Sequence, residues 1–246
     1  MKECAFCSKT DKMTGEHIFS DWMNDILAGP WIRAFNSSEG PSAQHDHAEL
    51  DWTRKVVCET CNTGWMSDIE YKHAQPIMGP LIAGEIDIPI NQSNARSIAL
   101  FAFKTAVIVD TLRKNATPFF SRRIRNTFRT NLSIPLDVNI WICAYATGTN
   151  RADMFSTYYK GKSPFMGPLE CHVCTYGVGC LAFQVVTIKS LWNGRVFPAN
   201  DFDKLSVPLW PNIPLGFVWP PRSGALFSVE QFIRFHRRWE NCVSAL

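Results

Sequence analysis

The chain carries both helical and strand periodicities. From Ser93 to Lys114, Ile98, Phe101, Ala102, Thr105, Val109 and Leu112 fall on one face at the helical period, which predicts the longest helix. A second helix is expected over Ser121 to Leu132, where Ile124, Phe128 and Leu132 form a narrow stripe and arginines occupy the other positions. Strand-like runs follow at Val138 to Tyr145, at Val173 to Ile188 with a break at the glycines, and at Leu205 to Leu209. Ser228 and Gln231 form a capping box ahead of Phe232, Ile233 and Phe235, so a last helix is expected there. The first 72 residues are more polar and irregular. They hold one helix candidate, Phe19 to Leu27, that stops before Gly29-Pro30, and a Ser/Gly/Pro/Asp/His-rich stretch, Asn36 to His47, that reads as an exposed loop. Trp65, Met66 and Ile69 predict a short helix before His73, and Pro76, Gly79-Pro80 and Gly84 place a boundary over residues 74–92.

Composition narrows the class. With 46% hydrophobic and 19% charged residues, the 246-residue chain can fill a core, and disorder is excluded as a general state. No apolar run approaches the roughly 20 residues of a membrane helix, and the first residues lack a signal peptide's apolar stretch, so a cytoplasmic protein without a membrane partner is expected. A net charge of +3 names no partner, but residues 96–129 hold eight basic residues against the single acid Asp110. Such a block, with Arg122, Arg123, Arg125 and Arg129 at its end, suits a polyanion; a solvated helix face is the plain alternative.

The 9 cysteines, without an export signal, point to metal or thiol chemistry and away from disulfides. Cys4/Cys7 and Cys58/Cys61 are two Cys-x-x-Cys pairs, the spacing that offers four thiolates to one zinc ion. Cys171, Cys174 and Cys180, with His172, invite a second zinc site. Their segment continues into Leu181-Ala182-Phe183-Gln184-Val185-Val186, however, which reads as sheet, so core cysteines are preferred there, as they are for Cys143 and Cys242. Trp210, Phe217 and Trp219 among prolines suggest either core packing or an aromatic pocket for a base, core packing being the expectation.

Between the paired knuckles stands Thr14-Gly15-Glu16-His17-Ile18-Phe19. On a regular strand Glu16 and His17 point to opposite faces, whereas at a strand end or bulge they can converge on one site. A carboxylate that holds a divalent ion beside an imidazole that takes a proton from water is the equipment of a metal-assisted phosphodiesterase. Cys4/Cys7, Glu16-His17 and Cys58-Glu59-Thr60-Cys61-Asn62, continuing as Thr63-Gly64-Trp65-Met66-Ser67, resemble the zinc-stapled branch of the HNH endonucleases, with a bacterial Cys-Asn-x-Gly-Trp-Met-Ser signature. The resemblance covers about the first 75 residues.

It implies an α+β protein: a zinc-bound ββα-metal nuclease unit over residues 1–75, then a mixed helical and antiparallel-sheet domain over 93–246. It further implies a DNA phosphodiesterase with His17 as general base, Glu16 and Asn62 holding Mg²⁺ or Mn²⁺, and Cys4, Cys7, Cys58 and Cys61 holding structural zinc. The arginines of the second domain would grip DNA, in restriction or antiviral defence, with the oligomeric state open and a homodimer included. The family's middle Asn has no counterpart in Leu50 to Val57, where Asp51 or a backbone carbonyl would have to orient the imidazole. Glu70 is read as a brace for the knuckle or an outlying ligand, His45 and His47 as solvated loop residues, and His73 as a helix-end cap. The missing Asn motivates an alternative, a zinc-stabilised nucleic-acid-binding module with weak or no catalysis. A third reading is an adaptor or sensor whose second domain binds a protein or small ligand.

Overall fold

The computed structural model describes residues 3–26, 31–36, 44–45, 52–112, 117–146, 151–163, 167–189, 201–221, 224–226 and 228–239, the segments 31–36 and 44–45 by backbone alone. The fold is α+β. Strand β1 (Met13–His17) pairs antiparallel with β4 (Thr53–Cys58), with a register shift between Thr14 and Gly15. The intervening chain leaves this pair: β2 (Trp31–Asn36) and β3 (Gln44–His45) join the large sheet, β2 running parallel to β7. Thus Asn36 and His45, expected in an exposed loop, belong to strands, while His47 and Asp51 lie outside the described residues.

From β4 the chain turns directly into a helical run over residues 59–83, kinked at Gly64, where the backbone leaves helical geometry (φ −95°, ψ −116°). It starts as α1 (Glu59–Cys61), widens to π-type turns at Asn62–Met66 and Asp68–Ala74, and ends as α2 (Gln75–Ala83). The boundary expected over 74–92 is therefore helix in its first half. Pro76 lies in the first turn of α2 and Pro80 inside it, and Met78, Leu81 and Ile82 are buried. Gly84, at φ 85°, ends α2 in the left-handed conformation open to glycine. His73 is exposed within this run and caps no helix end. The helix expected over Phe19 to Leu27 is a single 3₁₀ turn, Asp21–Met23, that buries Trp22 and Met23.

Strand β5 (Ile88–Asn91) leads into α3 (Gln92–Asp110), whose capping box is reciprocal between Asn91 and Asn94. Helix α4 (Arg122–Asn131) is capped by Ser121. The large sheet then forms from β6 (Val138–Tyr145), β7 (Arg151–Ser163), β8 (Gly167–Val178), β9 (Leu181–Lys189) and β10 (Ser206–Trp210), in the order β10-β6-β9-β8-β7-β2-β3. Strand β11 (Gly216–Trp219) pairs with β5, and β12 (Ala225–Leu226) runs parallel to β6. Helix α5 (Val229–Arg237) closes the described chain, the Ser228 hydroxyl accepting from Gln231 N at 3.1 Å.

The sheet is buried on both faces, which explains why β6 is buried at every position, Asn139 included, instead of alternating. Val138, Ile140, Ile142 and Ala144 of β6 face one core with α3, while Cys143 and Tyr145 face another with Phe232 and Phe235 of α5. Strands β8 and β9 split in the same way. Helix α3 lies between the sheet and the β1–β4 unit, so all residues from Ile98 to Asp110 are buried, not one face only. No described helix is long and apolar enough to cross a membrane.

Candidate metal centre and the β1–helix site

Two short loops bring the four cysteines together. Ser8 N donates to Cys4 O at 3.0 Å and Cys4 N to Lys9 O at 2.9 Å, folding the first knuckle back on itself. Ala5 N donates to Val56 O at 2.8 Å, which lays that knuckle against β4. Cys58 ends β4 and Cys61 lies in the first helical turn. The ligand atoms of Cys4, Cys7, Cys58 and Cys61 all fall within 4.8 Å of one another, with Cys7 Sγ and Cys58 Sγ 3.6 Å apart. Zinc–sulfur bonds of about 2.3 Å in a tetrahedron set neighbouring sulfurs about 3.8 Å apart, so the donor set fits a metal ion such as zinc. Among the described residues no other group of His, Cys, Asp or Glu converges in this way.

The thiols feel their burial unequally. Burial would raise Cys4, but the backbone N–H groups of Cys7, Cys58 and Phe6 outweigh it and bring its pKa down to about 7. Burial raises Cys58 and Cys61, so these two gain most from a cation that stabilises the thiolate. An aromatic chain seals the centre: Phe6, Trp65, Phe128, Phe103 and Phe120 meet edge to face in sequence, with centroids 4.8–5.6 Å apart.

The residues expected to do chemistry divide. His17 ends β1 opposite Thr53 and is half-buried. Asn62 comes to the same strand: its Nδ2 donates to Thr14 Oγ1 and to Gly15 O, each at 3.0 Å. Asn62 is thus anchored to the strand that ends at His17. Glu16 points the other way. The expectation that it shares a cation site with His17 is corrected here, because the bulge falls at Thr14/Gly15 and strand alternation sends Glu16 inward. Glu16 is 2% exposed, and its carboxylate accepts from Lys104 Nζ at 2.8 Å; Lys104, 1% exposed, also bonds Glu70. Burial pulls the Lys104 pKa down, but the two carboxylates more than offset it and leave it raised. Burial likewise raises Glu16 against the opposing pull of Lys104.

Lys104 is the residue that sequence reasoning misplaced, by counting it in the basic block. The signal was present: one cation inside Ile98-Ala99-Leu100-Phe101-Ala102-Phe103-Lys104-Thr105-Ala106-Val107 cannot be buried unpaired, and so demands an acid from elsewhere in the chain. Glu70, read as a brace for the knuckle or an outlying ligand, pairs with Lys104. Of the arginines, Arg122 pairs with Glu3, Arg123 is exposed, Arg125 is half-buried, and Arg129 bonds Asn126 Oδ1 at 3.2 Å through both Nε and Nη2.

Cys171 and Cys174 are buried in β8 and belong to separate cores, so they are packing residues, as is Cys143; Cys242 lies outside the described residues. Trp219 is buried and Trp210 Nε1 donates to Pro135 O at 2.8 Å, which gives both to the core.

No protein-family model matches the chain, and searches of curated proteins and of solved structures return no match. Fold and site therefore define the class by themselves: an α+β protein with a cluster of four cysteines, spaced to hold a metal ion, at the base of a β-β-helix unit.

Proposed function

We propose that the chain is an HNH-type endonuclease that hydrolyses DNA phosphodiester bonds, with zinc as the structural ion of the four cysteines. The observation that supports this most is the anchoring of Asn62, the residue after Cys61, to Thr14 and Gly15 of the strand that ends at His17, on a strand pair and helix joined at the cysteine centre. The His17 imidazole would take a proton from the attacking water. The Asn62 amide ties the helix to Thr14 and Gly15, fixing the strand end from which His17 projects. Arg122, Arg123 and Arg129 on α4 would hold backbone phosphates without reading bases.

A Mg²⁺ or Mn²⁺ ion, when bound, would neutralise the phosphate and the leaving 3′-oxygen. Asn62 is available to it through its carbonyl oxygen. Glu16 does not fit that part, being engaged by Lys104 on the inner face, so no step is derived through such an ion.

That engagement, with the missing Asn in Leu50 to Val57, favours a second reading: a zinc-stabilised module that binds nucleic acid without cutting it. Plasmid incubated with purified protein and Mg²⁺ or Mn²⁺ separates the two. Under the first reading His17→Ala lowers cleavage by about 100-fold or more. Salt-sensitive DNA binding with no cleavage in any divalent ion supports the second, and equal cleavage by wild type and His17→Ala removes the first.

A further inference from the structure

Two buried N–H donors beside the cysteine centre lack a hydrogen-bond acceptor. The Nε of Arg125, on α4, is fully buried and unpartnered, and so is the indole Nε1 of Trp65, in the wide turn that follows Cys61. Both lie on elements that border the four sulfurs: Trp65 packs edge to face on Phe6, inside the first knuckle, and on Phe128 of α4, and α4 is tied to the residue before Cys4 by the pairing of Arg122 with Glu3. Trp65 favours the Cys61 thiolate without reaching standard hydrogen-bond geometry, and Arg125 feels Asp110 first and Cys4 more weakly. Buried donors without acceptors are rare in native proteins, so two of them at one place call for a shared cause.

The chemistry of sulfur supplies it. A neutral thiol is a weak acceptor, whereas a thiolate accepts strongly through its charge. Four thiolates around one dication carry a net double negative charge, which a low-dielectric interior leaves poorly compensated. The neighbouring acid, Asp110, is the strongest charge partner of Arg125 but makes no hydrogen bond with its Nε. It accepts from Phe119 N at 2.8 Å, from Phe120 N at 2.9 Å and from the Tyr158 hydroxyl at 2.6 Å. This leaves the thiolates as the partners in need of a donor.

We infer that Arg125 and Trp65 are the donors that stabilise the metal-loaded tetrathiolate, Arg125 toward Cys4 and Trp65 toward Cys61, with Arg125 supplying the compensating positive charge. The inference rests on the reading that the four cysteines hold zinc, and it is independent of nuclease activity. It ties the metal to the basic helix, since Arg125 shares α4 with Arg122, Arg123 and Arg129. By linkage, zinc then seats α4 and the seating of α4 retains zinc.

The test uses the full chain loaded with Zn²⁺ and challenged with a metallochromic chelator. Arg125→Gln and Trp65→Phe are each expected to weaken zinc retention by about 10-fold or more, the usual cost of removing a partner of a metal ligand. Arg125→Lys, which keeps the charge, is expected to lose less. Urea titration of loaded and metal-free protein separates this role from packing: the substitutions lower the stability of the loaded chain more than that of the metal-free chain. Wild-type zinc retention in both variants overturns the inference. So does an equal loss of stability with and without metal. Failure to cleave DNA bears on the nuclease reading and leaves this one intact.

Discussion

On one face of the large sheet the β1–β4 unit and α3 meet over a triad of charges; on the other, α5 meets the strands over a hydrogen-bonded network built around a neutral histidine. In the first, Lys104 sits between Glu16 and Glu70, three charges sealed from water. In the second, His236 bonds Thr157 Oγ1 at 2.8 Å through Nε2 and Thr175 Oγ1 at 2.9 Å through Nδ1. Gln184 continues that network, donating to Thr175 Oγ1 at 3.0 Å and accepting from Arg238 Nε at 2.7 Å and Trp239 Nε1 at 2.9 Å. Both networks satisfy buried polar groups, but they respond oppositely to pH. Lys104, with its pKa raised by two acids, contributes stability that is complete below the usual lysine range and lost only on the far alkaline side. His236, held neutral by burial and by the nearby Arg237 and His172, fails on the acid side.

Breaking the ionic joint is expected to have the largest effect. Lys104→Met leaves two carboxylates buried together and should cost about 3–5 kcal/mol in urea unfolding. The triple variant Glu16→Gln/Lys104→Met/Glu70→Gln, which removes every charge, should recover most of that loss. If the single variant proves as stable as wild type, the joint is no constraint on the fold.

The neutral joint gives a smaller, pH-dependent effect. The folded state keeps His236 unprotonated down to about 3, whereas the unfolded chain takes up its proton near 6.5. Stability should therefore fall as pH drops through that window, with a slope of up to about 1.4 kcal/mol per unit. His236→Asn should flatten the slope in acid urea titrations; an unchanged slope would assign the acid sensitivity to other groups. The smallest effect is expected at the surface. Arg129→Ala should shift stability by less than about 0.5 kcal/mol, yet reduce the salt dependence of DNA binding by about one counterion.

The difference between the two joints also marks what the sequence made legible. Helices α3, α4 and α5 and strand β6 could be read because their patterns are local: a capping residue, a stripe, an apolar run. The knuckle could be read because Cys-x-x-Cys fixes its own geometry. Strands β2, β3 and β7 were missed: β2 finds its partner β7 far away in sequence, and β7, although it forms a hairpin with β8, carries Asp153, Ser156, Thr157, Lys160 and Lys162 where an apolar run would have marked it. The prolines of 76–80 suggested a boundary because proline lacks a helix's donor N–H, yet α2 holds Pro76 in its first turn and Pro80 in its interior. The inward turn of Glu16 could not be read, since it depends on a bulge one residue earlier and on a lysine 88 positions away.

The account as a whole depends on sulfur holding the β1–helix unit in place. Elemental analysis of the purified chain addresses this directly: one zinc per chain is expected, falling to none in Cys58→Ser/Cys61→Ser. In that variant the amides of β1 and β4 should exchange rapidly while β6, β8 and β9 stay protected. A metal-free wild-type protein whose β1 and β4 amides are nonetheless as protected as the sheet would contradict it.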